Sequence, residues 1–183
     1  HGKGSLFAKM PGSDWQRYAN LRLLHTYQAA MTGKKLCFMG NEFGQQNEWY
    51  SQRELDWSLL DNPAHSGVKR LVRDLNRLHG SIGALHELDF EQAGFCWIDC
   101  HDSDQSVLSF LRRSRDGACI VVVLNFTPVP RYAYRIGVPA AGHYREMLNS
   151  DSRYYGGSDV GNGANLQAGP RSWMGQPASL ELT

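Results

Sequence analysis

No stretch of this 183-residue sequence approaches the roughly 20 consecutive apolar residues that a membrane-spanning helix needs. An excess of charge is missing too: 19 Lys and Arg stand against 18 Asp and Glu, a formal net charge of +1. That balance gives no electrostatic footing on nucleic acid or an anionic membrane surface. Cysteine is sparse, and Cys37, Cys96, Cys100 and Cys119 show neither a CxxC nor the paired Cys/His spacing of a zinc site. Each lies in or beside an apolar segment, so four buried free thiols in a reducing cytosol are expected. No signal-peptide pattern opens the sequence, which fits the same cytoplasmic expectation. G-x-S-x-G, HExxH and P-loop patterns are absent, removing three motif-based enzyme assignments.

What is present is globular in character, with 42% hydrophobic and 20% charged residues over a length that allows one large or two small domains. Residues 1 to about 85 read as helical with one strand. Pro11-Gly12 breaks the chain, and Ser13-x-x-Gln16 offers a capping box for a helix whose face carries Trp15, Tyr18, Ala19, Tyr27, Ala30 and Met31. Gly33 is expected to end it. Leu36-Cys37-Phe38-Met39 is apolar without alternation, the pattern of a strand buried on both faces in a parallel sheet. A second helix has the clearest period: Val68, Leu71, Val72, Leu75 and Leu78 fall at i, i+3, i+4, i+7 and i+10. Lys69, Arg70, Arg73, Asp74 and Arg77 take its other side.

From about residue 86 the period becomes strand-like. Segments 95–98, 106–112, 118–126, 132–136, 144–148 and 179–183 are strand candidates, separated by turn-forming stretches such as Asp102-Ser103-Asp104, Arg115-Asp116-Gly117 and Thr127-Pro128-Val129-Pro130. Near-regular spacing of short strands predicts an antiparallel sandwich. The basic run Arg112-Arg113-Ser114-Arg115 reads as a solvated hairpin tip, and the glycine-rich stretch 156–163 as a long surface loop.

The run Met39-Gly40-Asn41-Glu42-Phe43-Gly44-Gln45 puts a polar Asn-Glu pair directly after the apolar segment. In an α/β barrel, the C-terminal end of a strand faces the active site. A lone parallel strand has no partner for its backbone groups, and a closed barrel takes roughly 250 residues. The order of elements therefore predicts an α+β fragment. Residues 1–85 would be the last strand and helices of an incomplete catalytic (β/α)8 barrel, and residues 86–183 an all-β antiparallel sandwich.

Four blocks resemble bacterial 1,4-alpha-glucan (glycogen) branching enzymes of the alpha-amylase superfamily. His1-Gly2-Lys3 with Met10-Pro11-Gly12 through Asn20-Leu21-Arg22 is similar to the segment after the seventh barrel strand. Residues 34–45, with Glu48-Trp49 and Leu55-Asp56-Trp57, resemble the eighth strand and its loop. Residues 86–90 with Gly94-Phe95-x-Trp97 resemble the linker into the C-terminal domain. Residues 125–131, Leu148-Asn149-Ser150-Asp151 and Tyr155-Gly156-Gly157-Ser158 resemble motifs of that domain itself. The resemblance implies a retaining transfer of an alpha-1,4-glucan chain to a 6-hydroxyl, forming an alpha-1,6 branch. A carboxylate nucleophile and a second carboxylic acid carry that chemistry without metal or organic cofactor. The implied partners are alpha-1,4-glucan (glycogen or amylose) and the N-terminal part of the same enzyme. The family's two catalytic Asp residues and its Glu map upstream of His1, so no catalytic residue is assigned and the chain alone is expected to be inactive. The resemblance also implies a β-domain lacking its final strand.

Glu42 and Asn41 are the candidate glucan-site residues, through a hydrogen bond to a sugar hydroxyl or by orienting a neighbour; a structural ion pair is the competing reading for Glu42. Trp49 offers a ring face that stacks on glucose or packs its loop, and Lys3 is a further candidate for glucan hydroxyls. Tyr50 shares Trp49's loop, whereas Trp57 reads as structural. His25 reads as a satisfied helix histidine, His79 and His86 as junction residues, and Asp14, Asp56 and Asp61 as helix-start or turn residues. Two alternatives remain: a β-domain that holds glycogen through Tyr132, Tyr134, Tyr154, Tyr155 and Trp173, and the end of a related trehalohydrolase or debranching enzyme. Residues 1–85 are expected to be less stable than the β-domain.

Overall fold

The computed structural model describes residues 3–183. His1 and Gly2, which open the His-Gly-Lys block, lie outside these residues. The chain divides into two units: residues up to Ser81 with Ser150–Asp159, and Ile82–Asn149 with Val160–Thr183.

In the first unit, α1 spans Asp14–Ala30 and starts at the expected capping box. Gln16 N–H donates to Ser13 Oγ at 3.4 Å, and Ser13 N–H donates to Gln16 Oε1 at 2.8 Å. The helix ends before Gly33: Met31 is already extended, and Lys35 Nζ donates to the Met31 and Gly33 carbonyls at 2.5 and 2.6 Å. Its buried residues are Tyr18, Leu21, Arg22, His25 and Ala30, while Trp15 is exposed. An apolar count misses such a face, because Arg22 and His25 are taken inside by specific partners. α2 spans Pro63–Ser81 and opens on proline, which tolerates the first helical position because its missing N–H would have no partner there. It buries His65, Gly67, Val68, Leu71 and Leu75 and leaves Lys69, Arg73 and Arg77 outside. Phe7, Tyr18, Leu21 and Val68 form one buried cluster in this unit.

The segment Leu36–Met39 corrects the sequence reading. It forms no strand, and all four residues are exposed, Leu36 at 74%. A parallel strand exists only through the strands beside it, and none of the described residues pairs with this segment. The thiols depart from expectation as well: Cys37 and Cys119 are exposed, and Cys96 and Cys100 half-buried.

Residues 150–159, read from sequence as β-domain and partly as surface loop, belong to the first unit. Arg22, 1% exposed, donates from Nε to Ser150 O at 2.8 Å and faces Asp151 Oδ1 at 3.7 Å. Arg70 Nε donates to Tyr154 O at 2.9 Å, Arg73 Nη2 to Tyr154 Oη at 2.8 Å, and Tyr155 Oη to Asp74 Oδ2 at 3.0 Å. Gly67 permits this approach, since a Cβ there would stand 2.3 Å from Tyr155 O.

The second unit is all-β and antiparallel. β1 (Phe95–Asp102), β2 (Val107–Arg113) and β3 (Cys119–Asn125) form one sheet in the order β1-β2-β3. β4 (Tyr134–Val138) pairs with β7 (Ala178–Leu182), and β5 (Gly142–Tyr144) with β6 (Leu166–Ala168). Ile136, Val138, Ala168, Ala178 and Leu180 make its core, with Val121 and Val123 of β3 packed against them. The strand expected over 144–148 is confined to Gly142–Tyr144, and its partner β6 carries no alternating signal strong enough to announce it. Arg112 is not at a solvated tip. It is fully buried, paired with Asp89, and its Nε donates to Gly94 O at 3.3 Å.

Candidate functional site

Asn41–Phe43 form a single 3-10 turn between two left-handed glycines, Gly40 at φ 83° and Gly44 at φ 71°. The turn closes on itself: Gln45 N–H donates to Gly40 O at 2.9 Å. Gln45 is buried, and its side chain continues the frame by donating to Asn47 O at 3.1 Å and accepting Asp56 N–H at 3.0 Å. Phe43 is fully buried, with Trp57 5.3 Å from it between ring centroids. Asn41 and Glu42 are left half-buried, on a backbone with little freedom.

Two histidines hold that backbone from inside. His25 Nε2 lies 3.0 Å from Asn41 O, and His65 Nδ1 lies 2.8 Å from Phe43 O. A carbonyl only accepts, so each ring nitrogen donates. His65 Nε2 is then the acceptor for the Tyr18 hydroxyl at 2.8 Å, and the two rings meet edge-on at 5.1 Å. Burial lowers the His25 pKa, against the opposing pull of the Asn41 carbonyl and the Glu42 charge. Burial likewise raises that of Tyr18. The satisfied-histidine reading of His25 therefore holds, and its partner is the candidate turn itself. Sequence reasoning missed His65. A signal did exist: His65 lies three residues before Val68 on the face that α2 buries.

Lys3 and Trp49 lie on two segments that are tied to each other. Gly4 N–H donates to Glu48 Oε2 at 3.2 Å, and Ser5 Oγ to Gln46 O at 2.7 Å, so the segment carrying Lys3 is tied to the loop carrying Trp49. Lys3 is exposed. Trp49 is half-buried and meets Phe38 edge-on at 5.3 Å, so packing occupies part of its ring. Tyr50 stays exposed, with its hydroxyl on Gln52 Oε1 at 3.0 Å. Glu42 instead lines an open depression of about 510 Å³ with Lys69, Val72, Arg73, Asn76 and Arg77. Phe38 links the two regions, since it packs on Trp49 and its carbonyl accepts Asn41 N–H at 3.0 Å.

Arg73, one of the residues lining the depression, also binds Asp74, which accepts from the Tyr155 hydroxyl. Its carboxyl is held below the usual range by the Arg73 hydrogen bonds and then by Tyr155, against the opposing effect of burial. The Tyr155 hydroxyl is pushed up to about 12 by burial and by its bond to Asp74. Tyr134 has a similar arrangement in the second unit, donating to Asp102 Oδ2 at 2.7 Å. The five aromatics proposed from sequence as a glycogen face are divided, since Tyr154 and Tyr155 lie in the first unit. Tyr132 and Trp173 are exposed in the second. Among the described residues no group of three His, Cys, Asp or Glu is placed to hold a metal ion, and no helix is long and apolar enough to cross a membrane.

Residues 97–183 match the family model of the alpha amylase C-terminal all-beta domain, a range that takes in β2 to β7, most of β1, and the segment Ser150–Asp159. Across all 183 residues the chain is 61% identical to the 1,4-alpha-glucan branching enzyme GlgB of Dechloromonas aromatica. Along its whole length, the chain is similar to the C-terminal part of branching enzymes. The GlgB proteins of Nitrosospira multiformis and Thiobacillus denitrificans are 58% and 60% identical over the full chain. The chain spans 30%, 24% and 25% of the length of these three relatives. The resemblance drawn from the sequence blocks is therefore shown, and it includes the helical unit as well as the β-domain.

Proposed function

We propose that this chain is the C-terminal part of a cytoplasmic 1,4-alpha-glucan branching enzyme and works only with the upstream remainder of its barrel. The observation that carries the proposal is the 61% identity along the entire chain to a relative bearing that name. The exposed, unpaired run Leu36–Met39 supports it: four consecutive strand-like residues in water are what a barrel strand leaves when its neighbours are absent. On this reading residues 1–85 end the (β/α)8 barrel, and the β-domain follows.

The reaction cleaves an alpha-1,4 bond, holds the cut chain on a carboxylate and passes it to a glucan 6-hydroxyl. Nucleophile, acid/base and stabilising carboxylate come from upstream. Glu42 and Asn41 supply hydrogen-bonding groups on a fixed turn directly after Leu36–Met39, the segment that becomes the last strand once the barrel is complete, at the end where barrel enzymes place their sites. Trp49 offers the remaining face of its ring to a glucose unit, and Lys3 a cation on the segment tied to that loop.

The test has two parts. The chain alone, assayed on amylose by iodine staining and debranching digestion, should form no branches. The Dechloromonas aromatica enzyme, with its matching C-terminal segment replaced by this chain, should branch amylose, whereas the same enzyme cut short before that segment should not. An inactive exchange with a folded product would overturn the proposal, and branches made by the chain alone would overturn the upstream placement of the catalytic carboxylates.

A further inference from the structure

We infer that His25 and His65 are positioning residues: a two-histidine clamp that fixes Asn41 and Glu42 by binding the carbonyls on either side of Glu42. The inference rests on the proposal that this turn forms part of a glucan site. Its geometry is independent of that proposal.

Asn41 O and Phe43 O flank Glu42, and each accepts from a buried imidazole, at 3.0 and 2.8 Å. His25 comes from α1 and His65 from α2, so the turn is gripped by both helices of its unit. The exposures of His25 and His65 are 5% and 0%, so water does not compete for either bond. The two grips use opposite ring nitrogens. His25 binds through Nε2, while His65 binds through Nδ1 and keeps Nε2 for the Tyr18 hydroxyl, itself backed by Phe7 at 4.7 Å between ring centroids. Gly44 completes the fit, because a Cβ there would stand 2.9 Å from Leu21 Cδ2. Clamping the carbonyls leaves the Asn41 and Glu42 side chains free of the clamp and able to meet a ligand. Side chains that meet a ligand are placed precisely when the backbone carrying them is fixed in this way.

The opposite tautomers provide a test that simple packing would not pass. An Asn amide places its N–H near the position of Nδ1, and a Gln amide near that of Nε2. His65→Asn and His25→Gln therefore keep the donor, while His65→Gln and His25→Asn move it. On the chain itself, long-range 1H–15N spectra should show His65 protonated at Nδ1 and His25 at Nε2. Any other tautomer pair overturns the clamp. In the full-length exchange with the Dechloromonas aromatica enzyme, His25→Gln and His65→Asn should branch amylose at nearly the unsubstituted rate. His25→Asn and His65→Gln should lose about tenfold to a hundredfold in kcat with little change in KM. Equal kcat in all four, or losses that track Tm and not donor position, would overturn the positioning role. If the unsubstituted exchange is inactive, the branching proposal and the positioning role fall together, and the spectra still decide the clamp.

Discussion

Between Val107 and Arg113 every residue of β2 has a registered partner in β3, from Val107 opposite Asn125 to Arg113 opposite Cys119. The turn at Asn41–Phe43 and the segment Ser150–Asp159 have no such ladder. They are held by individual side chains reaching across long stretches of sequence: His25, His65, Arg22, Arg70 and Tyr155. In the β unit, the loss of one contact leaves many equivalent ones in place. In the helical unit, each substitution removes one of only a few attachments of a segment. Stability in the second case resides in a few named bonds, and the outcomes below are ordered by how strongly they test that difference.

The largest contrast should be in hydrogen exchange. Amides of Val121–Leu124 sit inside a three-stranded sheet, whereas Leu36–Met39 has no ladder, so their protection should differ on the order of a thousandfold or more. Equal protection would remove the distinction. Next, Gly67→Ala should cost about 3 kcal/mol in urea unfolding, because its methyl group meets the Tyr155 carbonyl. Gly80→Ala, in the same helix with nothing within 4 Å, should stabilise by about 0.5–1 kcal/mol. If both behave alike, backbone entropy and not the docked segment governs this helix. A similar loss of about 3 kcal/mol is expected in the β unit for Arg112→Met, which strands the nearly buried Asp89 carboxylate. Replacing Asp89 by Leu as well should recover much of that loss, since the uncompensated charge is then gone. Tyr155→Phe removes one bond to Asp74 and should cost about 1 kcal/mol.

The smallest expected effect is that of pH. With the His25 pKa lowered by burial, the unfolded chain binds the proton more readily than the native one. The contribution of His25 to stability is therefore complete above the ordinary value of 6.5 and declines as pH falls below it. Urea midpoints from pH 8 to pH 5 should fall less for His25→Gln than for the unsubstituted chain. An identical slope for the two would mean that His25 does not carry the dependence.

Much of this could be read from residue type and spacing alone. Ser13 with Gln16 announced the start of α1, the period through Leu75 announced α2, and the apolar segments from Phe95 to Phe126 announced the three-stranded sheet. The Asn41-Glu42 pair stood out as polar residues after an apolar run, whereas its 3-10 turn between Gly40 and Gly44 emerges only in the structure. What stayed hidden was every feature created by distant polar contact. Arg22 interrupts an apolar face and so looks solvent-facing until Ser150 is brought to it, and the satisfied histidine expected at His25 gave no sign of its partner, Asn41. Arg112 sits in a basic run that suggests solvent, and only Asp89 explains its burial. Leu36–Met39 failed in the opposite direction, because strand propensity is realised only when neighbours are present.

The placement of Ser150–Asp159 also has a consequence in time. A ribosome delivers α2 well before Tyr155, which lies 81 residues beyond Asp74. At roughly 5–20 residues per second, that interval lasts about 4–16 s. For that period the groove around Gly67 is open and Arg22 is without its Ser150 and Asp151 partners. The helix pair must therefore wait, half-finished and accessible to chaperones or proteases, while most of the β-domain is still being synthesised.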